Sequence, residues 1–442
     1  RSRSERIDLL GAALDADVAA GKLPVVMQLP QMPPRSGESW PEYKERIASS
    51  LHAANKVLTG GSGTPLYLAN SIAATLSPEQ IEALSDTDTV RTVELDRLVQ
   101  ATLMDDAVVD AGLPELVQQN PHLTGAGIRV AVLDSGIDTL HPFLNVAASI
   151  STCGEEVEIP GSHGTHCAGS VASRDAVFPG IAPDVTLFNV KVLRANGSGT
   201  STFITRGVDA ALDLGADILT MSLGFNHLPV WSQNGHGWTC TDGQCELCTA
   251  VDNAVFFGAT VLVAAGNEHD RAQALRDFGQ GDTFDTELGC PGQSRRAITV
   301  GALTKVTFLP ASFSSRGPTS YGETKPDLAG PGVNITSTVP VPRDLHGAPI
   351  AAPLRSHLFD RKSGTSMATP VVAGAAALIM QDRRAKGLPD TPADMRAALL
   401  NEAVTALPYS ANTVGGGRVD LKPYAARSAL VAGVQNGGHQ QT

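Results

Sequence analysis

IRVAVLD, residues 128–134, is an unbroken apolar, β-branched run that ends on an aspartate. The same texture returns at 187–193 (LFNVKVL), 217–223 (DILTMSL), 259–266 (ATVLVAAG) and 297–303 (AITVGAL). A half-exposed strand alternates apolar and polar residues, whereas continuous runs belong to parallel strands buried on both faces. Helical segments lie between them at 163–173, 201–215 and 249–257, and a further one at 366–383 follows the last. Strands alternating with helices from 103 to 442 predict one α/β domain, a parallel sheet flanked by helices. In such sheets reactive groups gather beyond the carboxyl ends of the strands.

Working outward, the preceding segment has a different rhythm. VVMQL (25–29) predicts a strand, and Trp40, Ile47, Leu51, Ala54 and Leu58 are spaced as one face of a helix over 40–58. Ser39 with Glu42, and Pro41 in the first turn, suit its start. LYLAN and SIAATL (66–76) read as one or two strands, Ser77 and Gln80 repeat the capping signature before Ile81 and Leu84, and VRTVELDRLV (90–99) reads as a last strand. The order β-α-β-β-α-β predicts a small α+β, ferredoxin-like unit over 23–102, with 1–22 an alanine-rich polar tail or helix.

Composition bounds the rest. With 442 residues and 42% hydrophobic content, there is ample material for a large core. The balance of 33 basic to 45 acidic residues, net −12, argues against nucleic acid or an anionic membrane as partner. No apolar stretch approaches the roughly 18 residues that span a bilayer. Six cysteines are too few for a disulfide-built fold of this size.

Four residues carry chemistry. Asp134 ends the first long apolar strand, in VAVLDSGID. His163 opens HGTHCAG at a helix start, where a carboxylate that fixed its tautomer would make it a general base. His166, one turn on, reads as structural, because the zinc-binding HExxH form is absent. Ser366, in SGTSMATP, starts the long helix beside free helix amides. Asn267, in AAGNE, carries an amide able to donate to an oxyanion. Singly these also read as a turn aspartate, a helix cap and a turn asparagine. Together they supply nucleophile, base, orienter and oxyanion donor.

The order Asp…His…Ser and the flanking motifs resemble the subtilisin-like serine proteases, or subtilases, over about 103–430, including ASFSSRGP (311–318) and KPDLAGPGV (325–333). That family is itself a standard example of this triad. The resemblance implies that Asp134 orients, His163 is base and then acid, Ser366 attacks, and Asn267 joins the Ser366 amide in the oxyanion hole. It implies that Ser222, Leu223 and Gly224, and Gly197, Ser198 and Gly199, are two edges that pair with an extended substrate. Ala264, Ala265, Gly266 and Gly289 become the walls and floor of the primary specificity pocket, with room for a large apolar side chain. The segment 24–102 resembles the family's propeptide, a chaperone and intramolecular inhibitor, with a self-cleavage junction near Thr102–Leu103. The expected activity is that of a serine endopeptidase made as a proenzyme, acting on proteins or peptides; an exopeptidase and a permanently inhibited or binding-only scaffold are the alternatives. Propeptide-bearing subtilases are mostly exported, which favours a secreted or periplasmic protein.

The sequence also departs from the family. Phe143 stands where an aspartate calcium ligand is common, and the loop after the His163 helix shortens to SRDAVFPG (173–180), so the family-type calcium site is expected to be lost and no cofactor to be required, calcium elsewhere staying open. Insertions at 225–248, 268–288 and 339–362 border the cleft, and the proline-rich PVPRDLHGAPIAAPLRS (340–356) in the last is expected to be irregular. Cys240, Cys245 and Cys248 fall in the first, and Cys290 follows Gly289. A disulfide, a zinc site completed by His227 or His236, and unpaired thiols are three open readings. Cys167 reads as a small buried apolar residue, Cys153 has no clear role, and Val371 replaces the family's usual histidine after SMATP as a packing change.

Overall fold

The computed structural model describes residues 23–30, 32, 35, 40–62, 64–66, 71–84, 89–90, 92–95, 106–225, 240, 243–279, 284–344, 348–350 and 353–428. The chain divides into two compact units, Arg1–Gln100 and Ala101–Thr442.

In the first unit, strands β1 (Leu23–Gln28), β2 (Thr64–Leu66), β3 (Ser71–Leu76) and β4 (Thr92–Leu95) alternate with helices α1 (Trp40–Thr59) and α2 (Pro78–Leu84) in the expected β-α-β-β-α-β order. They form an antiparallel sheet ordered β2-β3-β1-β4. Met27, Ile72, Leu76 and Val93 from the strands meet Ile47, Leu51, Ile81 and Leu84 from the helices in one core. Gln80 closes a capping box at the start of α2: Ser77 N–H donates to Gln80 Oε1 (2.9 Å) and Gln80 N–H to Ser77 Oγ (3.3 Å). The predicted tail 1–22, Ser39, and residues 91 and 96–99 of the last predicted strand lie outside the described residues.

The second unit is built on a nine-stranded sheet. Its strands are β5 (Arg129–Asp134), β6 (Val146–Ser151), β7 (Thr186–Lys191), β8 (Ile218–Met221), β9 (Thr260–Ala264), β10 (Ile298–Leu303), β11 (Leu328–Pro331), β14 (Val404–Thr405) and β15 (Arg418–Val419). The order is β14-β15-β11-β10-β9-β8-β5-β7-β6, with every pairing parallel except β14–β15. Each predicted apolar run became a strand buried almost throughout. β6 lacks such a run: it lies at the sheet edge with exposed and half-buried residues, so continuous hydrophobicity had no power to find it.

Helices α3 (Asp106–Asp110) and α4 (Leu113–Gln119) lead into the sheet, and α5 (Ser162–Ala172), α6 (Ser201–Asp213), α7 (Glu246–Phe256) and α8 (His269–Asp277) lie between strands. The 21-residue helix α9 (Thr365–Ala385) is buried along most of its length. Small residues allow this, since a Cβ at Gly374 would approach Ile181 to 2.5 Å. Helices α10 (Pro392–Asn401) and α11 (Ala411–Val414) follow α9.

Two of the insertions carry regular structure. The segment 268–288 contains α8, whose Ala272 and Leu275 are buried against Phe284. The segment 339–362 ends in β13 (Phe359–Lys362), which pairs antiparallel with β12 (Ile335–Thr338) and lies beyond the stretch expected to be irregular. The centre of 225–248, with His227 and His236, lies outside the described residues, as do Thr102 and Leu103.

Candidate active site

Three elements deliver the site. Asp134 ends β5 and is 1% exposed. His163 is the second residue of α5, and Ser366 the second residue of α9. His163 Nδ1 lies 2.8 and 3.0 Å from the two Asp134 oxygens. An ionised carboxylate only accepts hydrogen bonds, so the proton sits on Nδ1 and the neutral ring offers a bare Nε2. The same carboxylate accepts the Ser135 N–H at 2.6 Å. Asp134 raises the His163 pKa well above 6.5, against the opposing cost of burial. Fully buried Lys191 stiffens the turn after Asp134, donating to the Ser135 carbonyl (2.6 Å) and pairing with Glu155 (2.7 Å).

Pro370 shapes the start of α9. It has no N–H, so the carbonyl four residues back, that of Ser366, has no helical donor. Two side chains take its place: Ser222 Oγ donates to it at 2.8 Å and Cys167 Sγ at 3.5 Å. The predicted substrate edge and the His163 helix are thus both tied to the Ser366 backbone. Cys167 therefore does more than the packing expected of it; it also lies 3.9 Å from His163 Nδ1. The Ser366 hydroxyl itself donates to the Ser222 carbonyl at 3.1 Å.

Asn267 follows β9 and is oriented by Thr365. Thr365 N–H (2.9 Å) and Oγ1 (3.1 Å) both reach Asn267 Oδ1. A backbone N–H can only donate, which identifies the amide oxygen and leaves Nδ2 as the free end. That nitrogen lies by Gly364, where an added Cβ would stand 3.4 Å from it. Gly364, with φ 159°, leaves the approach to Ser366 without a side chain.

Two adjoining hollows surround these groups. A cleft of 620 Å³ is lined by Asp134, His163, Gly197, Ser198, Gly199, Ser222, Leu223 and Gly224. A hollow of 210 Å³ is lined by Leu223, Gly224, Ala264, Gly266, Asn267, Gly289, Thr365 and Ser366. The second is below the roughly 300–1,000 Å³ of whole-ligand sites and suits one side chain. Ala265 departs from expectation: it is fully buried behind the wall, and its carbonyl holds the Gly289 N–H at 3.2 Å. Sequence reading missed Lys362, which β13 brings into the large cleft, and Glu268 and Thr365 in the small one. Thr365 and Glu268 lie inside quoted motifs, whereas Lys362 carries no local signal.

His166 is structural, as expected. Its Nε2 lies 2.9 Å from the Ile335 carbonyl and 3.2 Å from that of Asp360, and burial pushes its pKa down to about 4. Around Phe143 the insertion 339–362 contributes cations and rings. Arg343 Nη2 reaches Asp138 Oδ1 at 3.2 Å, and Arg355 pairs with Asp175 in the shortened loop. The Arg355 guanidinium lies over Phe178 (5.2 Å) and Phe359 (5.5 Å), and Phe143 stacks on Phe359 at 5.8 Å.

A buried carboxylate paired with a half-exposed imidazole, a helix-start serine and an oriented amide, all at the carboxyl ends of a parallel sheet, match the arrangement expected of a serine hydrolase. The chain belongs to the subtilase family: residues 125–424 match it. Serine protease AprX of Bacillus subtilis (strain 168) is 36% identical over 377 residues, covering 80% of this chain and 78% of its own. Subtilisin E of the same organism is 35% identical over 349 residues, covering 76% of this chain and 78% of its own. Alkaline protease of Alkalihalobacillus alcalophilus is 34% identical over 313 residues, covering 69% and 68%. The protein is a subtilisin-type serine peptidase.

Proposed function

We propose that the protein is an endopeptidase, made as a proenzyme, that cleaves through an acyl-enzyme on Ser366. The observation that carries this reading is the pairing of His163 Nδ1 with Asp134 at 2.8 Å in the same cleft as both edges expected to pair with substrate. In the reacting complex the Ser366 hydroxyl leaves the Ser222 carbonyl and passes its proton to His163 Nε2 as Oγ attacks the peptide carbon. The carbonyl oxygen becomes an oxyanion and accepts from Asn267 Nδ2 and the Ser366 N–H. Collapse breaks the C–N bond, and the amine leaves with the proton from His163. Water then repeats the sequence on the acyl-enzyme, freeing the acid and Ser366. Edges built from Gly197–Gly199 and Ser222–Gly224 favour main-chain recognition, hence a long substrate and modest sequence preference.

The β-α-β-β-α-β unit over 23–95 has the order expected for the inhibitor-like propeptide, and it is read as that domain, cut near Thr102. Calcium is not required at the family-type position on this reading. Asp138 and Asp175 already have Arg343 and Arg355 as counter-ions there, and Phe143 offers no oxygen to a hard cation.

A fluorophosphonate probe tests the enzyme reading. Wild type labels, on the peptide containing Ser366, and Ser366→Ala does not. If the wild type stays unlabelled even after limited proteolysis, the binding-only alternative replaces it. Fragments from a long peptide capped at both ends separate endopeptidase from exopeptidase action.

A further inference from the structure

Four of the six cysteines converge on one point outside the cleft chemistry. Cys240, Cys245, Cys248 and Cys290 place their sulfurs within 4.8 Å of one another. Cys248 and Cys290, 42 residues apart, have theirs at 3.5 Å. Cys240, Cys248 and Cys290 are at most 3% exposed, and Cys245 is half-buried. From this geometry we infer a closed structural site for one zinc ion, held by the four thiolates.

A zinc–sulfur bond is about 2.3 Å, so the sulfurs of an ideal tetrahedron stand about 3.8 Å apart. One edge is already 3.5 Å and none exceeds 4.8 Å, so every sulfur has the other three as neighbours within a short adjustment of that geometry. Two disulfides would need only pairwise approach. Cys245 caps α7 and Cys248 lies in its first turn, so the Cys-x2-Cys half is a chelating pair presented by a helix start. The Cys245 N–H points at Cys240 Sγ from 3.4 Å, and the amide of fully buried Gln293 at Cys290 Sγ from 3.9 Å. Such donors suit sulfur that carries negative charge. Thiolates select soft or borderline metals over calcium and magnesium, and a tetrahedral four-sulfur set is the structural zinc form, with no position left for water or substrate.

The placement gives the ion a task. Phe225 and Cys290 exchange both backbone hydrogen bonds, at 2.8 and 2.9 Å, directly after Gly224 and Gly289 of the small pocket. Zinc would clasp the carboxyl end of the 225–248 insertion and the start of α7 to the segment that carries the pocket floor. The sequence named the same four cysteines but left disulfide, zinc and free thiols open, because spacing along the chain does not say that Cys290 closes on the other three.

The test uses the full chain carrying Ser366→Ala to prevent self-digestion, expressed with zinc in the medium and purified in a reductant without chelator. Elemental analysis is expected to give about one zinc per chain. Native thiol titration should leave the four cluster cysteines unreactive, and all six should react once the chain is denatured with a chelator. Cobalt(II) exchange should produce the visible bands of a tetrahedral thiolate site. Cys248→Ser should lose the metal, Cys153→Ser should keep it, and Cys245→His should keep it with a shifted cobalt spectrum. Because the first readouts are taken without altering a ligand, they do not depend on how a ligand variant folds. The proposal is overturned if the protein carries no zinc while these thiols titrate freely, if iron replaces zinc, or if peptide mapping without reductant finds any two of the four joined.

Discussion

The orientation of Asn267 rests on Thr365, and Thr365→Val isolates that dependence. Valine keeps the shape of this fully buried side chain and removes only its hydroxyl. One of two bonds to Asn267 Oδ1 is lost, the 3.1 Å contact, while the backbone N–H at 2.9 Å remains. A neutral hydrogen bond contributes about 0.5–1.5 kcal/mol net. If that energy acts only where charge develops, kcat falls roughly two- to twelvefold and KM stays nearly constant. Asn267→Ala removes the donor itself, for which subtilisin's own loss is roughly 10²–10³-fold. There is a separate cost to folding, because the Gly266 N–H now reaching Thr365 Oγ1 at 3.2 Å loses its acceptor, worth about 1–3 kcal/mol. Steady-state kinetics on a chromogenic peptide, with thermal melts of the same variants, separate the two effects. In an Asn267→Ala background the Thr365→Val effect on kcat should vanish. An undiminished loss there, or a loss confined to KM, would refute the orienting role.

Because Asp134 holds the His163 pKa well above 6.5, the acid limb of kcat/KM should lie above that value. Asp134→Asn should move it to lower pH and cut activity, by roughly 10⁴-fold if it follows subtilisin's aspartate. A raised folded-state pKa favours the charged form, so its stabilisation is complete below about 6.5 and is lost as pH rises through the folded value. In a Ser366→Ala background, the melting-temperature advantage of the Asp134 form over Asp134→Asn should therefore shrink toward alkaline pH; a constant advantage contradicts the linkage. Arg355→Ala leaves Asp175, 5% exposed, without its guanidinium, and should cost about 1–3 kcal/mol, discounted because Arg355 is 46% exposed. A calcium-selective chelator should leave the wild-type melting temperature unchanged, and a fall would restore a calcium site to the protein. Intact mass should show two fragments for wild type and one chain for Ser366→Ala; one chain in both cases argues against self-cleavage near Thr102.

Local pattern was enough for the frame. The runs at 128–134, 217–223, 259–266 and 297–303 are buried on both faces because parallel strands are covered by helices, and that burial is written directly in composition. The triad candidates were legible because each stands in a motif at a strand or helix end, where the fold delivers side chains to the sheet edge. Edge strand β6 was hidden because solvent relieves it of any apolar pattern. The 268–288 helix was hidden because its apolar face is only Ala272 and Leu275, too short a period to stand out.

What the sequence alone determined, then, is the α/β frame, the family, and the residues available for chemistry. Tertiary structure decided which distant groups meet. Ser222 and Cys167 satisfy the carbonyl that Pro370 leaves open, Arg343 and Arg355 reach Asp138 and Asp175, and Cys290 closes the four-sulfur cluster. None of these pairs is local. Periodicity reports how a residue sits relative to its own element, while long-range contacts depend on how elements pack. That packing is settled only when the sheet, its helices and its insertions are assembled together.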